Sequence, residues 1–192
     1  MKSMLVPFIV MALLISTLTF PALAASKPPE KGEGLPVINL PVPKDPEERN
    51  YLGLSGSGFF KIPQIKAKAV IIEFFSMYCP ICQKDAPGVN ELYRLIEKNP
   101  DIKNKVKLIG IGAGNSPYEV GVYKKTYDVP FPLFPDKDFA IHEAFGNVRT
   151  PYFIAIRIKD DRTHDVFYSE AGGFGEPGAF LESIMAVLGP KP

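Results

Sequence analysis

Apolar positions along the chain fall into two patterns, short continuous runs and stripes recurring at helical spacing, and the two alternate from residue 69 onward. Ala69 to Phe75 is a continuous run rich in Ile and Phe, which predicts a strand covered on both faces, with one charge inside it at Glu73. Cys82, Ala86, Val89, Leu92, Tyr93 and Ile96 then recur at helical spacing, predicting a helix from about Pro80 to Lys98 that Pro87 should kink. Val106 to Ile111 reads as a second buried strand. Ser116-Pro117-Tyr118-Glu119 is a capping box with proline at the first helical position, opening a helix to about Tyr127. A short strand over Phe131 to Phe134 and a short helix over Phe139 to Phe145, ending at Gly146, follow. Tyr152 to Ile158 and His164 to Ser169 form a hairpin about a polar turn, and Glu176 to Leu188 a last helix.

Ahead of this block the pattern is weaker. Leu35 to Leu40 reads as an edge strand despite Pro36, Pro41 to Asn50 as loop, and Tyr51 to Leu54 with Phe59 to Ile62 as a hairpin around Gly-Ser-Gly. Strands alternating with helices and closed by an antiparallel hairpin imply an α/β fold, a three-layer α/β/α sandwich with a mixed central sheet and an N-terminal β extension.

The first residues have another use. Lys2 gives a positive end, Leu5 to Leu18 an apolar run, and Ala22-Leu23-Ala24 small residues for signal peptidase, so residues 1–24 read as an export signal. If uncleaved, the stretch is about long enough to anchor the chain in a bilayer, which takes roughly 20 residues. Residues 25–34 then read as a polar linker and 35–192 as one domain, delivered to the periplasm or otherwise outside the cytoplasm. The formal net charge of +1 gives no global field that would draw the protein to nucleic acid. A monomer is expected.

The chain has two cysteines, adjacent in Cys79-Pro80-Ile81-Cys82. A disulfide framework would spread several cysteines along a secreted chain, and so small a loop constrains almost nothing. Two ligands are also too few for structural zinc, with His142 and His164 far off, so neither metal nor cofactor is expected. Redox chemistry suits the pair. At a helix start the free N–H groups and the dipole favour a Cys79 thiolate, Pro80 lacks an N–H where none is needed, and Cys82 lies one turn further in. Cys79 would attack a disulfide and Cys82 would resolve the mixed disulfide. Gly110-Ile111-Gly112-Ala113-Gly114 also lies between strand and helix, but Asn115 stands where a dinucleotide fingerprint needs its third glycine. The glycines read as a tight turn.

From Glu73 through Cys82 the chain resembles the thioredoxin superfamily, in particular exported thioredoxins of the TlpA and ResA type. Ala86-Pro87 is similar to the family's helix-kinking proline, and Val148-Arg149-Thr150-Pro151 to the loop carrying its cis-proline. Tyr78 replaces the usual tryptophan, and Pro80-Ile81 the usual Gly-Pro. The resemblance implies a thiol-disulfide oxidoreductase acting on protein thiols or disulfides and served by an upstream redox partner. It implies that Glu73 helps deprotonate Cys82, that Asp85 matches an acidic residue of the family, and that Tyr78, Pro80, Ile81, Thr150 and Pro151 meet the substrate. Burial in the apolar run would raise the Glu73 pKa toward a useful value, whereas at the strand end it would face water. Asp85 reads equally as an exposed helix charge. Two alternatives share the fold. A thiol peroxidase would use Ser76, three residues before Cys79, with Arg149 as helper, although Ile72 stands where that motif has proline. A copper-binding chaperone would use the thiolates as soft ligands.

Overall fold

The computed structural model describes residues 27–189, so the export signal lies outside the described residues. Seven strands and five α-helices are described, in the order β1 (Leu40–Pro41), α1 (Pro46–Leu52), β2 (Phe59–Phe60), β3 (Ala69–Phe75), α2 (Pro80–Lys98), β4 (Val106–Ala113), α3 (Pro117–Thr126), β5 (Leu133–Asp136), α4 (Ala140–Ala144), β6 (Tyr152–Ile158), β7 (His164–Ala171) and α5 (Pro177–Leu188). The central sheet has the order β5-β4-β3-β6-β7. β3, β4 and β5 run parallel, while β6 and β7 are antiparallel to their neighbours, so the sheet is mixed. β3 is central and wholly buried, as its unbroken apolar run requires.

Alternation along β3 divides the core. Val70, Ile72 and Phe74 face a layer made by the β1–β2 pair, α1 and α4, where Leu52, Phe60 and Phe145 close the packing. Ala69, Ile71 and Phe75 face α2, α3 and α5, which contribute Cys82, Leu92, Tyr123 and Ile184. These are the three expected layers. Glu73 shares the parity of Ile71 and Phe75, which puts it on the α2 face.

The N-terminal third departs from the sequence reading. Strand pairing is confined to Leu40–Pro41 with Phe59–Phe60, rather than starting at Leu35. The expected loop holds α1, because Asp45 caps it by accepting from the Glu47 N–H, Pro46 opens it, and Gly53, with φ 64, closes it. Tyr51 and Leu52 therefore belong to a helix, and the expected hairpin is absent. Tyr51 Oη accepts the Leu108 N–H at 2.8 Å, covering the part of β4 that β5 leaves open. β5 begins at Leu133 rather than Phe131, whose ring is buried instead against α2 and α3.

Residues 27–34, read as linker, lie along β7. The Gly32 N–H donates to the Val166 carbonyl and the Val166 N–H to Glu33, both at 2.8 Å, and the Leu35 N–H donates to His164 Nε2 at 3.0 Å. Among the described residues no helix is long and apolar enough to cross a membrane.

Candidate active site

Strand β3 ends at Phe75 and α2 begins at Pro80, so the turn between them delivers Cys79 to the N-cap of a 19-residue helix. Cys79 Sγ accepts the Cys82 N–H at 3.2 Å, one of the amides a helix start leaves free. Its thiol donates to the Thr150 carbonyl at 3.3 Å. Partial burial raises the Cys79 pKa. Hydrogen bonds from the Cys82 thiol, the Cys82 and Ile81 amides and the Thr150 side chain outweigh that and bring the thiol below its ordinary value. Cys82 is fully buried, and burial followed by its bond to Cys79 pushes its thiol well up. The pair is unequal: one half-exposed sulfur ready to ionise, one enclosed sulfur that holds its proton.

Thr150 and Pro151 reach the site through sheet register. Phe74 pairs with Tyr152, so the residue preceding β6 lies beside the end of β3. The Thr150–Pro151 bond is cis. Pro151 is buried and Thr150 half-buried, while Tyr78, Pro80 and Ile81 form an exposed rim. Tyr78 donates its hydroxyl to Glu119, whose other oxygen accepts the Ser116 N–H in the capping box of α3.

Glu73 is 2% exposed, and its Oε1 has no hydrogen-bond partner. Burial, with a smaller push from the charge of Asp85, raises its pKa to about 8. Its charge in turn adds to what raises the Cys82 thiol. Asp85 is half-buried, and its carboxylate lies so close to Gly173 that a Cβ there would come within 3.0 Å of Oδ2. Glu73 thus faces the dithiol rather than water, and Asp85 is no free surface charge.

Four contributors were not singled out from the sequence. Tyr123, buried and stacked on Phe75 with ring centroids 4.5 Å apart, donates its hydroxyl to the Cys82 carbonyl at 3.1 Å. Asn115 accepts the Met77 N–H, Gln83 donates to the Met77 carbonyl, and Glu119 holds Tyr78. Only Glu119 had a signal, as the third residue of its capping box.

The Ser76 hydroxyl accepts from the Tyr78 amide and Asn115, both at 3.4 Å, and Arg149 is exposed. The hydrogen bonds described at Cys79 Sγ are with the Cys82 N–H and the Thr150 carbonyl, not with the Ser76 hydroxyl or the Arg149 guanidinium that a peroxidase would use. His142 Nε2 lies 2.7 Å from the Val148 carbonyl, and among the described residues no three His, Cys, Asp or Glu side chains group as metal ligands.

Residues 54–167 match the AhpC/TSA family. The thiol-disulfide oxidoreductase ResA of Bacillus thuringiensis subsp. konkukian is 32% identical over 92 residues, 47% of this chain and 50% of that protein. The chain thus spans about half the length of that relative. The thiol-disulfide oxidoreductase YkuV of Bacillus subtilis is 30% identical over 114 residues, 58% of this chain and 72% of that protein. A crystal structure of a thiol:disulfide interchange protein, DsbE, from Chlorobium tepidum superposes with a TM-score of 0.61 at 15% identity, covering 84% of this chain and 99% of that one. The shared fold is thioredoxin-like.

Proposed function

The chain belongs to the AhpC/TSA family, and from that premise we propose that it is an extracytoplasmic thiol-disulfide oxidoreductase exchanging disulfides with protein partners through Cys79 and Cys82. The observation that carries this reading is the inequality of the two sulfurs. Cys79 is half-exposed at a helix N-cap with its thiol pKa lowered, and Cys82 is buried one turn in with its pKa raised. Export rests on the apolar run and small residues of positions 1–24.

In the reducing direction the Cys79 thiolate attacks one sulfur of a partner disulfide. A bond forms between that sulfur and Cys79, the partner's S–S bond breaks, and its second sulfur leaves as thiolate. The partner's chain approaches over Tyr78, Pro80 and Ile81 and lies against the Thr150–Pro151 backbone. Cys82 then loses its proton to the ionised Glu73 carboxylate and attacks Cys79 Sγ, breaking the mixed disulfide. The partner leaves as two thiolates, which take up protons from Glu73 and solvent, and Cys79 and Cys82 are left joined as a disulfide. Asp85 supports Glu73 by favouring its protonated form once the proton has arrived. An upstream dithiol reverses the oxidation; run in reverse, with a partner thiolate attacking Cys79 Sγ of the Cys79–Cys82 disulfide and Cys82 leaving as thiolate, the steps oxidise a dithiol partner and leave Cys79 and Cys82 reduced.

The test is turnover of a protein disulfide such as insulin with thiol in excess, together with trapping. Cys82→Ser should accumulate a mixed disulfide with the substrate and Cys79→Ser should not, since only the first keeps an attacker without a resolver. Equal adducts from both variants would remove the assignment, and an inert wild-type protein would remove the activity.

A further inference from the structure

The glycine-rich turn after β4 has no part in the exchange reaction as written, yet it ends on a buried polar side chain aimed at the active-site loop. Asn115 is 0% exposed, and both ends of its amide are engaged. Oδ1 accepts the Met77 N–H at 2.8 Å and Nδ2 donates to Ser76 Oγ at 3.4 Å. From the opposite side Gln83 Nε2 donates to the Met77 carbonyl at 2.7 Å. Two side chains from different elements therefore hold both backbone polar groups of Met77, two residues ahead of Cys79.

The geometry points to Asn115 and Gln83 as positioning residues that set the reactivity of Cys79 by clamping the Ser76–Cys79 turn. This rests on the role of Cys79 proposed above. The Cys79 N–H donates to the Ser76 carbonyl at 3.0 Å, so the turn closes on itself and a shift at Met77 passes directly to the Cys79 Cα. What favours ionised sulfur is a set of weak contacts, the Cys82 amide at 3.2 Å among them. Hydrogen bonds weaken steeply once distance or angle departs from a narrow range, so displacing the sulfur by about half an ångström removes much of their effect.

Asn115 itself is held rigidly. Gly114 has φ 66, a conformation glycine takes at no steric cost, and a Cβ there would come within 2.2 Å of the Phe139 ring. The Asn115 N–H donates to the Gly112 carbonyl at 3.0 Å and the Gly114 N–H to Asp136 at 2.9 Å, fixing the turn to the ends of β4 and β5. Gly112 leaves room for Phe75, whose Cζ would lie 3.1 Å from a Cβ at that position. An amide is the side chain that can accept from Met77 and donate to Ser76 at once. Asn115 acts through the loop and touches neither sulfur by hydrogen bond.

The experiment follows alkylation of the reduced protein by iodoacetamide from pH 5 to pH 9.5, which reads the ionisation of Cys79 while buried Cys82 stays silent. Asn115→Leu and Gln83→Met are compared with wild type, and thermal melting is recorded for each. The midpoint should rise in both variants by about one pH unit, lowering the labelling rate at pH 6 roughly tenfold. Profiles that superimpose on wild type while the melting temperature falls would show a purely structural role and overturn the proposal. Gln83 is half-buried on α2, so Gln83→Met decides the matter alone if Asn115→Leu does not fold. Failure of the functional reading shows separately, as a wild-type protein that alkylates normally but reduces no disulfide.

Discussion

A carboxyl group enclosed by β3 and α2 with one oxygen unpaired holds its proton far more tightly than in water, and for Glu73 this raises the pKa from 4.5 to about 8. Between those values the folded chain binds a proton that the unfolded chain has lost. The stabilisation is thus complete below about pH 4.5 and is lost as pH rises toward 8, by about 1.4 kcal/mol per pH unit inside that window. Glu73→Gln, neutral at every pH, should abolish this slope, so that denaturant unfolding at pH 8 finds the variant more stable than wild type. Parallel stability profiles for the two proteins would refute the buried, protonated state. The same variant should resolve mixed disulfides more slowly and lose the rise in resolution rate centred near pH 8, because the group proposed to accept the Cys82 proton is gone. The placement of Glu73 was half legible: strand alternation aligns it with Ile71 and Phe75, but a sequence does not say whether water reaches the strand end. The dithiol was readable because helix-start chemistry is local. Asn115 was not, since its partner Met77 lies 38 residues away and nothing in either neighbourhood names the other.

Among the elements, α3 joins local capping to the site. Ser116 accepts the Glu119 N–H at 3.3 Å and Glu119 accepts the Ser116 N–H at 2.7 Å, while the same Glu119 carboxylate receives the Tyr78 hydroxyl. Those bonds, the Ser116 side chain first, lower the Glu119 pKa to about 2. Ser116→Ala should therefore cost about 0.5 to 2 kcal/mol in unfolding free energy. It should also loosen Tyr78, seen as broadened ring resonances in NMR spectra; an unchanged stability would show the cap to be idle. This helix was legible from four residues because its signals are consecutive. Helix α1 was missed although Asp45-Pro46-Glu47-Glu48 carries the same kind of start, because its seven residues fall among prolines that argue for loop. A helix that short is marginal alone and is fixed by tertiary contacts, here Leu52 in the core and Tyr51 against β4. Strands β1 and β2 fall at the Leu35–Leu40 and Phe59–Ile62 runs, but their two-residue limits and their pairing with each other escaped for the same reason: the partner, not the strand's own pattern, defines them. Long elements with a full apolar period, β3 and α2, matched their expected limits.

For the molecule as a whole, sheet order decides what meets what. Placing β6 antiparallel beside β3 brings the start of one to the end of the other, which is how Thr150 comes to Cys79 across 71 residues. On the far side of β6, β7 is covered by the N-terminal strap, which crosses from the Gly146 turn near the active-site end to His164 at the opposite end. The strap's last backbone bond depends on a neutral imidazole, because His164 Nε2 must accept from Leu35. Burial lowers the His164 pKa, opposed by the neighbouring charge of Asp165, and Lys61 lines the same small cavity. The folded state therefore binds fewer protons than the unfolded chain just below the ordinary histidine value of 6.5. This contribution is present in full above that pH and is lost as pH falls through the lowered folded pKa. Acidification should thus free the strap before the core: the protection factor of the Leu35 amide in hydrogen exchange should drop as pH falls below the ordinary histidine range. Amides of β3 should hold theirs. His164→Phe should show the low protection at every pH, and a Leu35 amide equally protected on both sides of the histidine range would mean that the imidazole does not hold the strap.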